Sequence, residues 1–479
     1  MPPDPMPDPD AAARDALRLI GPDPPSWVPD RPGIDHNVLI VGGGQSGCAF
    51  AFALRRAGIG RVAVIDVAAD EAGAGVWLNA ARMTVLRTPK TLPGPEFGIA
   101  GLSFQAWYEA RHGAAAYAEV ARIPREDWAD YLRWYRNFLG IAVRYGTRLV
   151  RIEPAGGHFR LHLDIAGRNG VETARKVILA NGVAGNGGAY VPPAIADGLP
   201  RRLYAHTADA IDFAGLRGRR VAVVGGAASA FDAAGVALEA GAASVDLFAR
   251  RAQLAALPVG RVRGYPGAYD NYPELPDRLR WRQALRFRRA GSTAPADAIE
   301  RVLKFPGFRL HLAAPWLAAR EAEGLIVART PDGEFRFDFA IAGTGYFVDP
   351  AVRPELADFA GEILLWRDRY TPPPGEEDDY LGAHPYLGIA HEYLEKTPGR
   401  APYLRDIHVQ NPGGFVSFGV PVGDVPSMKR GLPAVTRRIS HDLFMADLGA
   451  HEDRLDAAVE PEFASDLYAA AIARQQAAG

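Results

Sequence analysis

Four apolar residues, Val38-Leu39-Ile40-Val41, break straight into Gly42-Gly43-Gly44-Gln45-Ser46-Gly47, and helical sequence resumes through Ala57. Few features restrict a fold as tightly. A buried strand that ends on glycines and turns at once into a helix belongs to a parallel-sheet α/β unit, because the helix must cross the sheet before the next parallel strand starts. Residues 61–66 (Arg-Val-Ala-Val-Ile-Asp) read as that next strand. The same grammar returns at Val221-Ala-Val-Val-Gly225-Gly-Ala227-Ala228-Ser229-Ala230, with another strand over 244–249. Two such units within 479 residues predict two Rossmann-like α/β domains with chain left over for insertions.

Each glycine of the first turn has a separate task. Gly42 permits the tight turn off the strand, Gly44 lets a pyrophosphate approach the backbone, and Gly47 lets the helix pack against the sheet. Gln45 and Ser46 open a helix whose free N–H groups and positive dipole end attract phosphate. Asp66 ends the following strand, 24 residues after Gly42, where a carboxylate accepts hydrogen bonds from a ribose diol. This unit is expected to bind FAD. In the second turn Gly225, Ala227 and Ala230 fill the three glycine positions, with Ala228 and Ser229 opening the helix. Aligning the strands puts Ala249 where Asp66 stands, followed by Arg250 and Arg251. An acid would repel a 2′-phosphate whereas a guanidinium grips one, so NADPH is expected here. The alternative is a solvated strand end.

Composition narrows the class. Apolar residues make up 48% and charged residues 23%, ordinary for a folded domain. A net charge of -2 supplies no attraction to nucleic acid or an anionic membrane, and neither is expected as a partner. No apolar run approaches the roughly 18–20 residues of a membrane span. The opening Met-Pro-Pro-Asp-Pro lacks a basic-then-apolar leader pattern, so a cytoplasmic protein is expected. Cys48 is the single cysteine, which rules out an internal disulfide or a Cys-x-x-Cys pair. It reads as a small core residue. The histidines at 311, 384, 391, 408 and 441 lack metal-ligand spacing, and no metal is expected.

Along the chain, residues 1–34 are rich in proline and aspartate and read as a flexible tail with a short helix near 11–20. Residues 35–200 are expected to form the first part of the FAD domain, 201–345 an inserted NADPH domain, and 346–479 the rest of the FAD domain with C-terminal helices. Trp128, Tyr131, Leu132, Tyr135 and Leu139 have the spacing of an amphipathic helix over 126–139. A polar insert spans 258–300, a Pro/Gly/Tyr-rich excursion spans 367–405, and helices are expected near 430–448 and 462–476.

With both units in view, the chain resembles the class B flavoprotein monooxygenases (the flavin-containing monooxygenases, Baeyer–Villiger enzymes and amino-acid N-hydroxylases). The resemblance covers about 37–440 at the level of motif order. It rests on Val41–Gly47, Gly75-Val-Trp77, Lys176-Val-Ile-Leu-Ala-Asn-Gly182, the second turn, and Phe337-Asp-Phe-Ala-Ile-Ala-Gly-Thr-Gly-Tyr346. Two departures mark an atypical branch. Of the family's F-x-G-x-x-x-H stretch only His206 stands in place, since Pro200 and Arg202 occupy the Phe and Gly positions. The first crossover also reads Ala-Asn-Gly instead of Ala-Thr-Gly.

The resemblance implies an FAD-dependent, NADPH-consuming monooxygenase that uses O2, through a C4a-(hydro)peroxyflavin, on a small soluble molecule. N- or S-oxygenation and hydroxylation of a heterocycle such as a purine all stay open. It also implies that Trp77 and Thr88 run beside the flavin, that Val150 touches the adenine, and that Asp424 binds the ribityl chain at a helix start. Lys90 and Asn411 are its candidate catalytic residues. The alternatives are a plain core valine for Val150, a surface lysine for Lys90, a turn-forming asparagine for Asn411 and an unliganded N-cap for Asp424. Two other functions remain: a flavin oxidoreductase passing hydride to an acceptor other than O2, and a nucleotide-binding scaffold without turnover.

Overall fold

A computed structural model describes residues 8–92 and 94–477. The fold is mixed α/β with parallel sheets. In the first sheet the order is Val143–Arg144, Val62–Ile65, His36–Val41, Arg168–Leu179, Phe159–Ile165 and Thr147–Pro154, with Ile407–Val409 also paired to Arg168–Leu179. His36–Val41 lies parallel to both neighbours, Val38 opposite Val62 on one side and Lys176 on the other. The long strand Arg168–Leu179 serves two partners. Its first half runs antiparallel to Phe159–Ile165, and its second half runs parallel to His36–Val41 and Ile407–Val409.

The second sheet has five strands, all parallel, in the order Phe308–His311, Ser244–Phe248, Arg220–Val224, Phe339–Ala342, Tyr204–His206. Between the two sheets the chain crosses twice, and the crossing strands Gly187–Ala189 and Tyr346–Val348 pair antiparallel with each other.

The expected amphipathic helix forms as Arg125–Phe138 and buries Trp128, Tyr131 and Tyr135. A buried phenol needs a partner. Tyr131 donates to the Leu102 carbonyl at 2.8 Å and Tyr135 to the Pro95 carbonyl at 2.6 Å. The helix that starts at Asp424 runs Val425–Ala446, because Asp424 caps it by accepting from Ser427 N–H and Pro426 is tolerated in a first turn. Its buried face of Met428, Leu432, Val435, Ile439 and Leu443 joins the core that includes Phe50 and Leu54 of the Gln45–Arg56 helix.

The flexible tail is corrected for 8–34; residues 1–7 lie outside those described. A helix spans Pro9–Leu19, Ala13 is fully buried, and Trp134 donates to Asp10 at 2.7 Å. Trp27 donates to the Ala57 carbonyl at 2.8 Å and lies so close to Gly58 that a Cβ there would stand 2.8 Å from its ring. Proline-rich composition signals disorder only where nothing apolar is available to anchor it. Here Trp27 and Val28 supply the anchor.

The insert also docks. Trp281, Ala284 and Leu285 of the Asp277–Ala290 helix share a core with Trp366, Leu381, Phe415 and Val416. The 367–405 excursion therefore forms a wall packed against the insert.

Candidate functional site

The first glycine turn is built around one close backbone approach. Gly42 sits at φ +110°, its N–H donates to Ile65 O at 2.8 Å, and a Cβ there would lie 2.2 Å from the Ala180 carbonyl oxygen. No L side chain fits. Gly47 is equally constrained, since a Cβ would lie 1.8 Å from Gly42 O. Asp66 uses both oxygens on the turn and its own strand end: Oδ2 accepts from Gly43 N at 2.6 Å and Oδ1 from Ala68 N at 2.8 Å. Gly44 caps the Gln45–Arg56 helix without a side-chain bond, leaving the first N–H groups open toward a ligand.

These residues fit FAD. A cleft of about 260 Å³ opens on the turn, lined by Gly43, Gly44, Gln45, Cys48, Gly75 and Trp77. The Cα of Gly75 stands 3.6 Å from the position of a Gly44 Cβ, so two glycines face each other across it. Gly42, Gly44, Gln45, Ser46, Gly47, Asp66 and Trp77 are thus brought to one place. The helix start at Asp424 joins them through Gly423, whose carbonyl accepts from Gln45 Nε2 at 3.0 Å and Ser46 Oγ at 3.4 Å. Burial raises the Asp424 carboxyl to about 7, partly offset by hydrogen bonds from Ser427.

The second turn repeats the architecture. Gly225 N donates to Phe248 O at 2.9 Å, and a Cβ on Gly225 would lie 2.2 Å from Gly343 O, on the return crossover. Ala227 caps the Ala228–Glu239 helix without a side-chain bond, and Ser229 is exposed in its first turn. A Cβ on Gly226 would meet Ala249 Cβ at 3.1 Å, as one on Gly43 would meet Asp66 Cβ at 3.4 Å. Ala249 therefore occupies the acid's position, and no carboxylate stands there. The two arginines differ. Arg251 donates to the Ala290 and Arg289 carbonyls at 2.8 and 3.0 Å, whereas Arg250 is exposed and makes no hydrogen bond or ion pair among the described residues.

Thr88 and Lys90 line a second cavity of about 130 Å³ with Glu96, Phe104, Trp128 and Val425. It adjoins the FAD cleft through Gln45, whose Oε1 accepts from Trp128 Nε1 at 3.2 Å. The Lys90 ammonium donates to the Tyr117 and Ala118 carbonyls at 2.7 and 3.2 Å and lies 4.3 Å from the Tyr117 ring centroid.

Asn411 lies beside the first turn, its Cα 3.7 Å from the position of a Cβ on Gly423, the residue whose carbonyl accepts from Gln45 and Ser46. Asn411 is fully buried: its Oδ1 accepts from Asn186 at 2.8 Å and Gly413 N at 3.0 Å, and its Nδ2 donates to Asn181 Oδ1 at 2.9 Å. Tyr393 extends the network by donating to Asn186 at 2.6 Å. The amide therefore braces the first crossover. Val150 is 39% exposed at an irregularity between Leu149 and Arg151, which excludes the core-valine alternative. The backbone beside Asp66 is 144–147, with Asp66 N donating to Arg144 O and Thr147 N to Asp66 O, each at 2.9 Å.

Trp128 and Glu96 escaped sequence reading because an aromatic at helical spacing and a loop acid carry no site signal of their own. The buried His391 and His408 hydrogen-bond through Nδ1 with the Val409 and Ala390 carbonyls, and burial lowers both to about 3.

Residues 39–263 match the family described as pyridine nucleotide-disulphide oxidoreductase. The chain is 42% identical over 426 residues to an FAD-dependent urate hydroxylase of Xanthomonas campestris pv. campestris, covering 88% of this chain and 89% of that protein. Among solved structures it resembles ornithine hydroxylase from Pseudomonas aeruginosa (TM-score 0.64, 18% identity, 86% of this chain and 99% of that one). It also resembles L-lysine 6-monooxygenase from Pseudomonas syringae (TM-score 0.62, 16% identity, 86% and 99%). The chain belongs to the class B flavoprotein monooxygenases. It is an FAD-dependent oxidoreductase. Disulfide exchange of the kind named in the matching family description needs a pair of thiols, and this monooxygenase has one cysteine, Cys48, whose buried thiol is pushed up to about 12. No helix among the described residues is long and apolar enough to cross a membrane.

Proposed function

We propose that this monooxygenase hydroxylates a planar, oxidised purine of the urate type, taking its electrons from NADPH. The observation that carries the reading is the 42% identity, over most of both chains, to a urate hydroxylase. The overall change balances as substrate, NADPH, H+ and O2 giving hydroxylated product, NADP+ and water. Bound FAD supplies the redox chemistry, accepting hydride and activating O2.

The chain's own residues bind and orient. Gly42, Gly44, Gly47 and Asp66 hold the FAD pyrophosphate and ribose. Gly225 and the N-terminus of Ala228–Glu239 hold the nicotinamide dinucleotide, with Arg250 free to take the 2′-phosphate. The cavity between Thr88, Lys90 and Trp128 takes the substrate. Phe104 and Trp128, 5.8 Å apart between ring centroids, offer flat apolar surfaces, and Lys90 offers the cation for an anionic ring.

The test is steady-state NADPH consumption with urate, with urate loss followed in parallel by absorbance. One urate lost per NADPH consumed is expected, and reduced enzyme mixed with O2 should show a transient near-ultraviolet absorbance before oxidised flavin returns. NADPH oxidation that urate neither accelerates nor couples would refute the substrate assignment.

A further inference from the structure

The segment leading into the substrate cavity belongs by sequence to the FAD half, yet it is fastened to the other half. At its start Arg82, 9% exposed, donates to the Thr207 carbonyl and, at 2.9 Å, to the Asp209 carbonyl. Arg301 donates to Arg82 O at 2.8 Å while forming an ion pair with Glu239, the last residue of the Ala228–Glu239 helix. At its end Arg87 reaches Asp232 on that same helix, Nη2 to Oδ2 at 2.6 Å. Asp232 is only 5% exposed, and Arg87 is its one ion-pair partner among the described residues. The residues that follow Arg87 are Thr88 and Lys90, which line the cavity. The helix carrying Asp232 begins at the second glycine turn.

We propose that Arg87 and Asp232 are positioning residues that tie the substrate-cavity wall to the nicotinamide-binding helix, so that NADPH oxidation stays matched to substrate hydroxylation. The inference rests on the NADPH reading above. A helix bound at its N-terminus to the dinucleotide and at Asp232 to Arg87 is a rigid strut, because a helix deforms little between its second turn and its start. The middle of the segment is held to the FAD half by Leu86 N–H donating to Ile123 O at 2.8 Å and Arg125 N–H donating to Thr84 O at 3.0 Å. The 88–90 end is likewise held to the FAD half, by Lys90 donating to the Tyr117 and Ala118 carbonyls, so release of Arg87 leaves the wall in place but no longer in register with the nicotinamide-binding helix. With that register lost, reduced flavin meets O2 without an aligned substrate. NADPH, H+ and O2 then give NADP+ and hydrogen peroxide, two electrons passing to oxygen with no bond made to carbon.

The test uses the full-length holoenzyme and compares Asp232→Asn, Arg87→Gln, the double variant and Asp232→Glu. Asp232→Asn keeps the side-chain shape and removes the buried charge; Arg87 is half-exposed, so Arg87→Gln leaves no cavity. Flavin content per chain and melting temperature serve as folding controls. Substrate-free NADPH oxidation with peroxide release is expected to rise about fivefold or more in each single variant, the lower end of typical coupling between sites. The double variant should rise no further, because both changes break one link, and Asp232→Glu should restore most of the coupling. Parent-level peroxide release in Asp232→Asn, or additive effects in the double variant, would overturn the inference. A parent enzyme that oxidises neither NADPH nor NADH would instead refute the nicotinamide reading, and the inference with it.

Discussion

Arg250→Ala is the sharpest probe of the second dinucleotide site. Arg250 and Arg251 follow Ala249 at the end of a strand, but only Arg250 has an uncommitted guanidinium, since Arg251 is held by the carbonyls of Arg289 and Ala290. A hydrogen bond to a charged group contributes about 1.5–3 kcal/mol, and Arg250 is exposed, so the lower part of that range, about 1.5–2 kcal/mol, applies. At about 1.4 kcal/mol per tenfold, the KM for NADPH should rise roughly 10- to 30-fold. NADH lacks the 2′-phosphate, so its KM should stay within about twofold. Arg251→Ala, which breaks bonds to the protein, should raise both KM values together. The assay is initial-rate oxidation of each nucleotide at saturating substrate and O2. Equal effects of Arg250→Ala on NADPH and NADH would refute the assignment of the phosphate to this guanidinium.

Three further outcomes follow from the same geometry. Burial raises Asp424 above its unfolded value to about 7, so its folded form holds a proton that the unfolded chain releases near 4. Its contribution to apoprotein stability is complete at low pH and is lost as pH rises through about 7; melting temperatures compared at pH 5 and 8 should diverge less in Asp424→Asn, and an unchanged difference would count against it. Cys48, buried with its thiol pushed up to about 12, should resist a chromogenic disulfide reagent at pH 8 until denaturant is added; rapid labelling of the native protein would contradict that placement. Deleting residues 1–34 should lower the melting temperature by several degrees, because Trp27 and Val28 leave the core, whereas a loose tail would be removed without effect.

Much of the fold was legible because its strongest constraints are local. The turn at Gly42–Gly47 and the acid at Asp66 are demanded by contacts within one strand–turn–helix unit, so neighbouring residues carry the signal. Gly225 was legible for the same reason, even with alanine at 227 and 230. What stayed hidden depends on residues far apart in the chain. The bond between Trp128 and Gln45 joins a helix face to a glycine turn, and the Asn181–Asn411–Asn186 network joins the first crossover to a turn more than two hundred residues on. Neither partner is unusual in its own sequence context. Arg250 and Arg251 are identical in local pattern, and only the C-terminal end of the Asp277–Ala290 helix distinguishes them. Residues 8–34 misled because composition reports average solvation, while one tryptophan against one glycine settles whether a segment docks.

The docking of the insert has a mechanical consequence. Trp281 and its neighbours are encoded within the second unit but share a core with Trp366 and Phe415 of the first, so the second unit is moored at this outlying point as well as at its two crossing strands. A body held only by adjacent strands can swing; one moored at a third, separate point cannot rotate freely without breaking an aromatic contact. Large swings of one half against the other are then disfavoured, and segment 82–90, tied to both halves through Arg82, Leu86 and Arg87, adds to the bracing. The enzyme is in this sense a braced frame.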